Sequence, residues 1–513
     1  MRKLFFLLLF CHTVQHGFAQ SGGFNRLYSF SDEHGAHFTD LATNIGGDTL
    51  FVCGSAFTDE SLPYVSLMVA AIDTFGNLLG QVYHHLPESH MLPFPIVRLK
   101  TGGYAVAGTL LHAGFLTKIN DSLKIVSNDI YYINNNVGVS SRHLIELSNG
   151  GFLMGGHYSK PNYSLYQFVK GIAPSGQEVW SKEYGTPGEY NYMTSFIQLD
   201  DSTFVIGGSK SPIYWGQYEW ARSHIFAIDN KKGLVKWEWL GPLNEEASIH
   251  GLHQTSDKGW IYLTQTYEPN PIPDPVETWV AHIKVVRRDS AFNLLWERVL
   301  SPVRSYWNKE GDLEATPDGN WVATGWWRLD STQANGNSVF KACIYKLSDQ
   351  GDSLWCTCLN PEEAINGPVE PGGIMVLPSG STVWACRYDQ YVPGPGHTYG
   401  WLVKVDNDGC VDTLCALPSG VFSPPPQVGE RQVNVYPNPA TEKVFFDFTV
   451  PEKCRGCSIR VSDLSGKVVW SGALGAAQRQ VVWAPGDAPA GLYFYSVTLH
   501  GQNVASGKIL VLR

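Results

Sequence analysis

The feature that most constrains the fold of this chain is a short apolar run that recurs about every 50 residues and usually ends in glycine. Each run follows a turn signal such as GGD, NGG or PDGN, as a strand does after a tight turn. Seven related units therefore lie between about residue 40 and residue 417. The runs are LFVCG (50–54), YAVAG (104–108), FLMGG (152–156), FVIGG (204–208), WIYLT (260–264), WVATG (321–325) and TVWAC (382–386).

Each unit holds three further strand-like segments around this run. One precedes the turn, as in RHLIELS (142–148), and another follows the run, as in WLVKVD (401–406). The third segment, which ends the unit, often carries a tryptophan, as in LVKWEW (234–239) and LLWERV (294–299). Four antiparallel strands in a repeat of this length are typical of a β-propeller blade, whereas solenoids of short parallel coils repeat every ~20 to 30 residues.

The sequence therefore predicts an all-β fold with a seven-bladed β-propeller over residues 20–417, and six or eight blades are the alternatives. Stacked blades bury their aromatic faces against one another, and a closed ring leaves few exposed strand edges. FNRLYSF (24–30) is predicted to be an extra fourth strand that completes the last blade. Composition agrees, since aromatic residues make up 13% and charged residues only 16% of the chain, against about 25% in an average domain.

The first residues are typical of a secretory signal peptide. Arg2 and Lys3 precede an apolar segment over 4–11 that is too short to span a bilayer, and Ala19 ends a small-residue cleavage motif. We predict a signal peptide over 1–19, with an N-terminal membrane anchor as the alternative. The net charge of −10 gives no basic stripe, so no nucleic-acid partner is expected.

Export permits disulfide bonds, and nine cysteines remain after the predicted cleavage. We predict a disulfide between Cys410 and Cys415, which would close a short loop. Cys454 and Cys457 form a CxxC pair for which zinc is a competing interpretation, but a single pair is a weak signal and no metal is expected. Cys53 and Cys386 stand among apolar strand residues and are predicted to be buried.

A second domain follows a proline-rich segment. Residues 418–431 contain three consecutive prolines at 424–426 and no strand pattern, as in an extended linker. Residues 432–513 then contain about seven short strands separated by turn signals, which predicts a small β-sandwich. The segments are VNVYP, KVFFDFTV, CSIRVSD, GKVVWSG, RQVVWA, GLYFYSVTL and GKILVLR.

This last domain resembles the C-terminal sorting domain of proteins exported by the type IX secretion system, in its motifs and in their order. The CxxC pair is not part of the family pattern, and each motif alone also suits an ordinary sandwich turn or strand. The matching residues are Tyr436, Pro437, Asn438 and Pro439 in the opening motif, Asp463, Gly466 and Lys467 in the central turn, Gly491, Leu492 and Tyr493 in the penultimate strand, and Lys508 in the final strand.

The resemblance implies a route and a set of partners. The chain would reach the periplasm through its signal peptide, and an outer-membrane translocon would read the sorting domain. Sorting and cleavage machinery would then remove the domain, often with attachment of the cargo to surface lipopolysaccharide. The expected location is the cell surface or the medium.

The propeller region carries a second, looser resemblance. IFAIDNKKGLVKWEW (225–239) is similar to the repeat of quinoprotein-type propellers, in which a strand ending in Asp leads through a Gly turn to a tryptophan strand. No ligand motif of that family is present, so no cofactor is expected.

The sequence contains no nucleophile elbow, zinc-protease or phosphate-loop motif. We expect a propeller that binds an unknown glycan or protein ligand without catalysis. Alternatives are a carbohydrate-active hydrolase, which needs two facing carboxylates, and a quinone-dependent dehydrogenase. Long loops rich in aromatic residues, at 209–223, 265–279, 302–313 and 387–400, could build a site. The carboxylate candidates are Glu310, Asp312, Glu314, Glu362, Glu363 and Glu370.

Overall fold

The computed structural model divides into two compact units, Met1–Phe422 and Ser423–Arg513, and this boundary lies inside the predicted linker. In the residues that it describes, every regular element is a strand, and no helix is long and apolar enough to cross a membrane. The described residues are 23–30, 35–57, 65–86, 90–110, 112–133, 137–160, 164–212, 221–243, 247–269, 279–300, 309–332, 338–359, 369–390, 397–411, 433–436, 440–441, 443–448, 457–463, 467–473, 480–486, 488–499 and 502–511.

The described strands of unit 1 form seven sets of four antiparallel strands, and a single parallel pair, Leu165 with Tyr190, joins the third and fourth sets into one eight-stranded sheet. The first three sets are β2 (Ala36–Thr43), β3 (Thr49–Phe57), β4 (Val65–Asp73) and β5 (Leu78–His84); β6 (Met91–Arg98), β7 (Tyr104–Leu110), β8 (Ala113–Ile119) and β9 (Ile125–Tyr132); and β10 (Val137–Glu146), β11 (Phe152–Ser159), β12 (Leu165–Ile172) and β13 (Glu178–Tyr184).

The next three sets are β14 (Glu189–Asp200), β15 (Thr203–Pro212), β16 (Arg222–Asp229) and β17 (Val235–Leu240); β18 (His250–Gln254), β19 (Trp260–Pro269), β20 (Trp279–Arg288) and β21 (Leu294–Val299); and β22 (Lys309–Ala315), β23 (Trp321–Thr332), β24 (Ser338–Leu347) and β25 (Ser353–Leu359). The seventh set combines three late strands with the earliest one, namely β26 (Val369–Val376), β27 (Thr382–Gln390), β28 (His397–Val405) and β1 (Phe24–Tyr28).

The first strands of the sets form a closed ring. Each of them contacts the first strand of the next set, and β26 of the seventh set contacts β2 of the first. This arrangement is a β-propeller with the first strands at its centre, so the predicted fold class is confirmed, while the blade number of the whole chain stays a prediction. The prediction for residues 24–30 is also confirmed, because β1 pairs with β28 and completes the seventh blade.

The core of unit 1 lies between neighbouring blades. The second and third strands of a blade are buried on both faces, as in the fully buried pattern of β7 (Tyr104–Leu110). Seven clusters of buried apolar side chains each join one blade to the next, and the cluster containing Phe24 and Val52 joins the seventh blade to the first. The apolar runs found in the sequence are the centres of these interfaces.

The fourth strands explain the recurring tryptophans. Trp180 Nε1 donates a hydrogen bond to the carbonyl oxygen of Asn230 at 3.2 Å, and Trp355 Nε1 donates to that of Asn407 at 2.9 Å. Asn230 lies in the turn that joins the third and fourth strands of the next blade, and Asn407 lies in the turn that follows the third strand of the seventh blade. Such a tryptophan covers the turn with its ring and satisfies one carbonyl with its N–H, so it fastens one blade to the next.

Unit 2 is a sandwich of two sheets in its described residues. One sheet has the order β29-β30-β33 and the other β32-β31-β34-β35. A cluster that includes Phe446, Val461, Trp483 and Ile509 fills the space between them. The strands are β29 (Val433–Tyr436), β30 (Val444–Phe448), β31 (Ser458–Ser462), β32 (Val468–Ala473), β33 (Gln480–Trp483), β34 (Gly491–Leu499) and β35 (Gln502–Val511). Each overlaps a segment predicted from the sequence, and β35 begins five residues earlier than predicted.

Candidate functional site

A cavity of about 510 Å³ lies at the centre of the ring formed by the first strands, and we call it the axial cavity. Four of its lining residues carry titratable side chains, and most of the surface that the lining exposes is polar. The lining residues are Asp40 and Leu41 of β2, Pro95 and Val97 of β6, His143 and Leu144 of β10, Phe196 of β14, Asp312, Glu314 and Ala315 of β22, and Ile374, Met375 and Val376 of β26.

Bulges place polar side chains in this cavity. All seven first strands have a break in register at the same level of the ring. Asp40 and His143 directly follow the break in their strands, and Asp312 lies within it. A bulge inserts an extra residue and changes the direction of the side chains beside it. At this level the first strands therefore present side chains to the axis, and three of those side chains are titratable.

Asp40 also has a structural role. Its Oδ2 accepts a hydrogen bond at 3.0 Å from the backbone N–H of Ile96, which belongs to the next blade. A Cβ atom on Gly373 would lie 1.9 Å from Oδ1 of Asp40, so only glycine leaves room for this carboxyl group. Burial raises the pKa of Asp40 to about 7, and the nearby Asp312 adds to the shift.

Asp312 and Glu314 enter the cavity from one strand. Oδ1 of Asp312 accepts from the backbone N–H of Leu313 at 2.9 Å, and Oε2 of Glu314 lies 3.9 Å from Nε2 of His253. Burial raises the pKa of Asp312, and the neighbouring histidines oppose that shift. Burial, Asp312 and Asp40 together raise the pKa of Glu314 to about 8. The described lining therefore favours protonated carboxyls near neutral pH, because it contains no lysine or arginine.

His143 completes the polar lining. Burial lowers its pKa to about 4, and the adjacent Arg142 guanidinium adds to that effect, so the imidazole is neutral at pH 7. The Nε2 atom of His143 is fully buried and has no hydrogen-bond partner among the described residues. A buried ring nitrogen without a hydrogen-bond partner is unfavourable.

The side chains of the cavity remain reachable by water although protein surrounds them. The side chain of Glu314 is 38% exposed, and that of the neighbouring His253 is 27% exposed. Near the cavity, the Arg142 guanidinium lies 4.6 Å from the centre of the Phe94 ring. Oε2 of Glu370 lies 3.6 Å from Nη1 of Arg387. The four long loops proposed from the sequence lie largely outside the described residues.

The sequence found part of this site. Asp312 and Glu314 were among the six carboxylate candidates, and the structure brings them together at the axis. Glu370 instead pairs with Arg387, only the backbone of Glu310 is described, and Glu362 and Glu363 lie outside the described residues. Asp40 and His143 were missed. The only signal for Asp40 was that it is the one acidic residue in the strand AHFTDLAT.

A cluster of three cysteines is the one group in the described part of the chain that has metal-site spacing. Cys343 and Cys358 face each other on β24 and β25 and form a disulfide. Sγ of Cys356 lies 3.7 Å from Sγ of Cys358. Burial raises the pKa of the Cys356 thiol to about 12. A metal ion would therefore find one protonated thiol in place of three thiolates.

The other cysteine predictions have mixed outcomes. Cys53 and Cys386 are buried, as predicted. The pairing of Cys410 with Cys415 stays a prediction, since Cys415 lies outside the described residues. Cys457 of unit 2 belongs to a disulfide whose partner also lies outside them.

The sorting-motif residues that the structure describes lie on the strands β29, β34 and β35 and in the turn between β31 and β32. The backbone N–H of Asp463 donates to the carbonyl oxygen of Lys467, and the Lys467 N–H donates to Asp463 Oδ1 at 3.1 Å, which closes the central turn. Tyr493 is buried, and its hydroxyl donates to the carbonyl oxygen of Pro489 at 2.7 Å. Gly491 and Leu492 pair with Val511 and Leu510, Lys508 pairs with Phe494, Tyr436 belongs to β29, and Pro437, Asn438, Pro439 and Gly466 lie outside the described residues.

Residues 434–512 match a family model described as a secretion system C-terminal sorting domain. The predicted sorting domain is thereby confirmed, and it indicates export by the type IX secretion system to the cell surface or the medium. No curated protein matches the chain.

Several solved structures are similar to the chain at low identity. The WD40 domain of Neurospora crassa Pan2 is 10% identical and matches over 71% of this chain and 89% of its own, with a TM-score of 0.40. The polysaccharide lyase Uly1 is 9% identical over 77% and 94% of the two chains, with a TM-score of 0.45. The α-L-arabinofuranosidase Arb93A of Fusarium graminearum is 11% identical over 75% and 97%, with a TM-score of 0.36. The fold assignment rests on the strand topology described above.

Proposed function

We propose that unit 1 is a ligand-binding module, which its type IX sorting domain delivers to the cell exterior, and that the axial cavity is its ligand site. The observation that supports this is the convergence of Asp40, His143, Asp312 and Glu314 on one cavity from three different first strands. Ligand sites are commonly concave, mostly apolar and furnished with a few polar groups. The axial cavity is concave and carries several polar groups, although most of the surface that its lining exposes is polar, and its volume is in the usual range of about 300 to 1,000 Å³.

Export is tested by deleting residues 432–513 from the chain in a bacterium that has the secretion system. The truncated chain should accumulate in the periplasm, because the outer-membrane translocon would have no sorting domain to read. Fractionation followed by immunoblotting measures this, and the full chain is the control. Normal levels of truncated protein outside the cell would show that another segment directs export.

Ligand binding is tested with the mature full-length protein on glycan and peptide arrays. Asp312→Asn and Glu314→Gln are the cavity variants, and Glu297→Gln is the matched control, since Glu297 is exposed on β21. We expect the cavity variants to lose the bound ligands and the control to retain them. Retention by all three variants would place binding elsewhere in the molecule.

The raised pKa values favour a second candidate function, a carbohydrate-active hydrolase. Such enzymes need one protonated carboxyl as general acid and a second carboxylate as base or nucleophile. Glu314, whose pKa is raised to about 8, could hold the proton while a neighbouring carboxyl is ionised. Reducing ends should then be released from the glycans that the protein binds on the array. Loss of that release in Glu314→Gln would support hydrolysis over binding alone.

A further inference from the structure

A second cleft, of about 800 Å³, lies between the first and second blades, and we call it the interblade cleft. It shares no lining residue with the axial cavity. About half of the surface that its lining exposes is apolar, and Leu79 of β5, which lines it, is 59% exposed. Accessible apolar surface inside a cleft is a common feature of binding sites.

The interblade cleft is open because two facing residues of the first blade are small. Ala71 stands two positions before the turn that follows the third strand, and its partner on the fourth strand is Gly80. In each of the other six described blades, at least one residue of the equivalent pair has a long or aromatic side chain. These pairs are Lys118 with Ser127, Gly171 with Trp180, Ala227 with Trp237, Arg287 with Trp296, Lys346 with Trp355 and Lys404 with Phe24.

The side chains at these positions connect one blade to the next. In five of the seven described turns that follow a third strand, such a side chain donates a hydrogen bond to the carbonyl oxygen of the second residue of the turn. The donors and acceptors are Lys404 Nζ and Thr74 (3.0 Å), Lys118 Nζ and Pro174 (3.2 Å), Trp180 Nε1 and Asn230 (3.2 Å), Trp296 Nε1 and Asp349 (3.2 Å), and Trp355 Nε1 and Asn407 (2.9 Å). In the fifth blade, Trp237 instead packs on Phe292, with the ring centres 5.9 Å apart.

The second blade is the exception that forms the interblade cleft. The equivalent carbonyl oxygen belongs to Asp121, which lines the cleft, and no donor in the described part of the chain reaches it. The first blade has Gly80 where the third, fifth and sixth blades have the donating tryptophan. Both the space for an indole ring and the acceptor for its N–H are therefore left open.

The backbone of Leu123 is an independent observation at the same place. Leu123 has φ 58°, which is unfavourable for leucine, and such strain is found preferentially at ligand sites. Its side chain borders the cleft, because a Cβ atom on Gly80 would lie 3.3 Å from Cδ1 of Leu123. Leu123 therefore adds an apolar wall where a glycine would add none. Glycine takes the equivalent place in five other turns, as Gly76, Gly176, Gly233, Gly351 and Gly409.

We propose that the interblade cleft binds a tryptophan side chain of a partner protein, in the place that the propeller fills with its own tryptophans between later blades. This inference goes beyond the proposed function, which concerns the axial cavity. An indole offers one N–H donor for the Asp121 carbonyl and an apolar face for Leu79 and Leu123. A lysine ammonium could reach the same acceptor but would leave the apolar walls without a contact. The cleft is larger than one indole, so residues beside the tryptophan could contact Gln81 and Arg98.

Fluorine NMR of the mature full-length protein tests the proposal. The probe is N-acetyl-5-fluorotryptophan amide, and the comparison probe, N-acetyl-4-fluorophenylalanine amide, has a ring without an N–H donor. We expect saturable broadening of the tryptophan probe, reversal by unlabelled N-acetyl-tryptophan amide, and about fivefold weaker binding of the phenylalanine probe, as for loss of one hydrogen bond. Absence of broadening, equal binding of both probes, or displacement by N-acetyl-lysine amide would each overturn the proposal.

Variants locate the site. Gly80→Trp should fill the cleft from the chain itself, so it should abolish probe binding and raise the thermal midpoint. Leu79→Asp changes an exposed wall residue without disturbing the core, and should weaken binding about tenfold or more. Val126→Trp is the matched control, because it adds a tryptophan at a position of β9 that is 66% exposed, and it should bind the probe as the wild type does.

The thermal midpoint of each variant confirms that it is folded. Unchanged probe binding in both Gly80→Trp and Leu79→Asp would contradict the proposal. Asp312→Asn and Glu314→Gln should bind the tryptophan probe as the wild type does, because the interblade cleft does not include these residues. Loss of probe binding in these two variants would place the indole in the axial cavity and would equally overturn the proposal.

Discussion

The hydroxyl of Tyr28 donates a hydrogen bond to the carbonyl oxygen of Gly76, and the two oxygens are 2.8 Å apart. Tyr28 lies on β1, which is the outermost strand of the seventh blade, and Gly76 lies in a turn of the first blade. The contact repeats, at the point of ring closure, the arrangement by which Tyr131 donates to Gly176 and Tyr184 donates to Gly233. The ring therefore closes with the same contact that joins its blades elsewhere.

Tyr28→Phe should lower the free energy of unfolding of unit 1 by about 1 kcal/mol, the usual contribution of one hydrogen bond. The cost stays small because Arg26 also donates to the Gly76 carbonyl, at 2.8 Å, so the acceptor keeps a partner. Urea unfolding followed by tryptophan fluorescence measures the change. Tyr132→Phe is the control, since Tyr132 is 74% exposed, and an equal effect of both substitutions would show that closure does not depend on this bond.

The same substitution should have opposite signs at two positions with positive φ. Phe292 has φ 64°, and its ring stacks on that of Trp239 with the ring centres 4.7 Å apart. Lys258 has φ 68°, and its side chain is exposed. Phe292→Gly relieves backbone strain but removes the ring, and should destabilise unit 1 by about 1 to 2 kcal/mol. Lys258→Gly relieves the strain without loss of packing, and should stabilise it by up to about 1 kcal/mol.

Thermal unfolding of both variants beside the wild type measures this difference. Phe292→Leu serves as a further control, because it keeps the strained backbone and shortens the apolar group. If Phe292→Gly proved as stable as the wild type, the stacked ring would contribute no more than the strain costs.

Removal of the cross-strand disulfide should be costly. Cys343 and Cys358 are 15 residues apart in sequence, and closing a loop of that length contributes about 3 kcal/mol in the chain-entropy model. The double variant Cys343→Ala/Cys358→Ala should lose about this much stability in guanidinium unfolding. Cys356→Ala is the matched control and should change little. Mass mapping without reductant should recover the Cys343–Cys358 pair, and a Cys343–Cys356 pair instead would contradict the assignment.

The stability that Glu314 contributes to unit 1 should fall as the pH rises from 5 to 9, because Glu314 holds its proton more tightly when folded. Its pKa is raised from 4.5 to about 8, so the stability it contributes is fully present below pH 4.5 and lost as the pH passes 8. The groups that face it are Asp312, Asp40, His253 and His143.

Glu314→Gln should therefore raise the thermal midpoint relative to the wild type at pH 9, and leave it nearly unchanged at pH 5. Water in the cavity screens the charge, so the gain should be modest, about 2 °C. Glu297→Gln, which removes an exposed carboxyl group on β21, is the control variant. A constant difference between Glu314→Gln and the wild type across this range would show that Glu314 titrates as an exposed residue.

Local sequence predicted the elements well because each is determined by neighbours in the chain. The run ending at Gly108 is a buried strand because its residues are apolar and a glycine turn precedes it. The turn after Asp73 is closed by its own carboxylate, which accepts from the N–H of Asn77 at 2.7 Å. The disulfide of Cys343 was missed, because its partner is set by the register of two strands and not by sequence spacing.

The sequence alone determined that this chain consists of repeated four-stranded sheets followed by an export domain, since turn residues and strand alternation act over a few positions. Only the tertiary structure decided that Asp40, His143 and Glu314 share one cavity, because residues hundreds of positions apart meet there when the ring closes. Their raised or lowered pKa values have the same origin, since burial and neighbouring charges exist only in the folded ring.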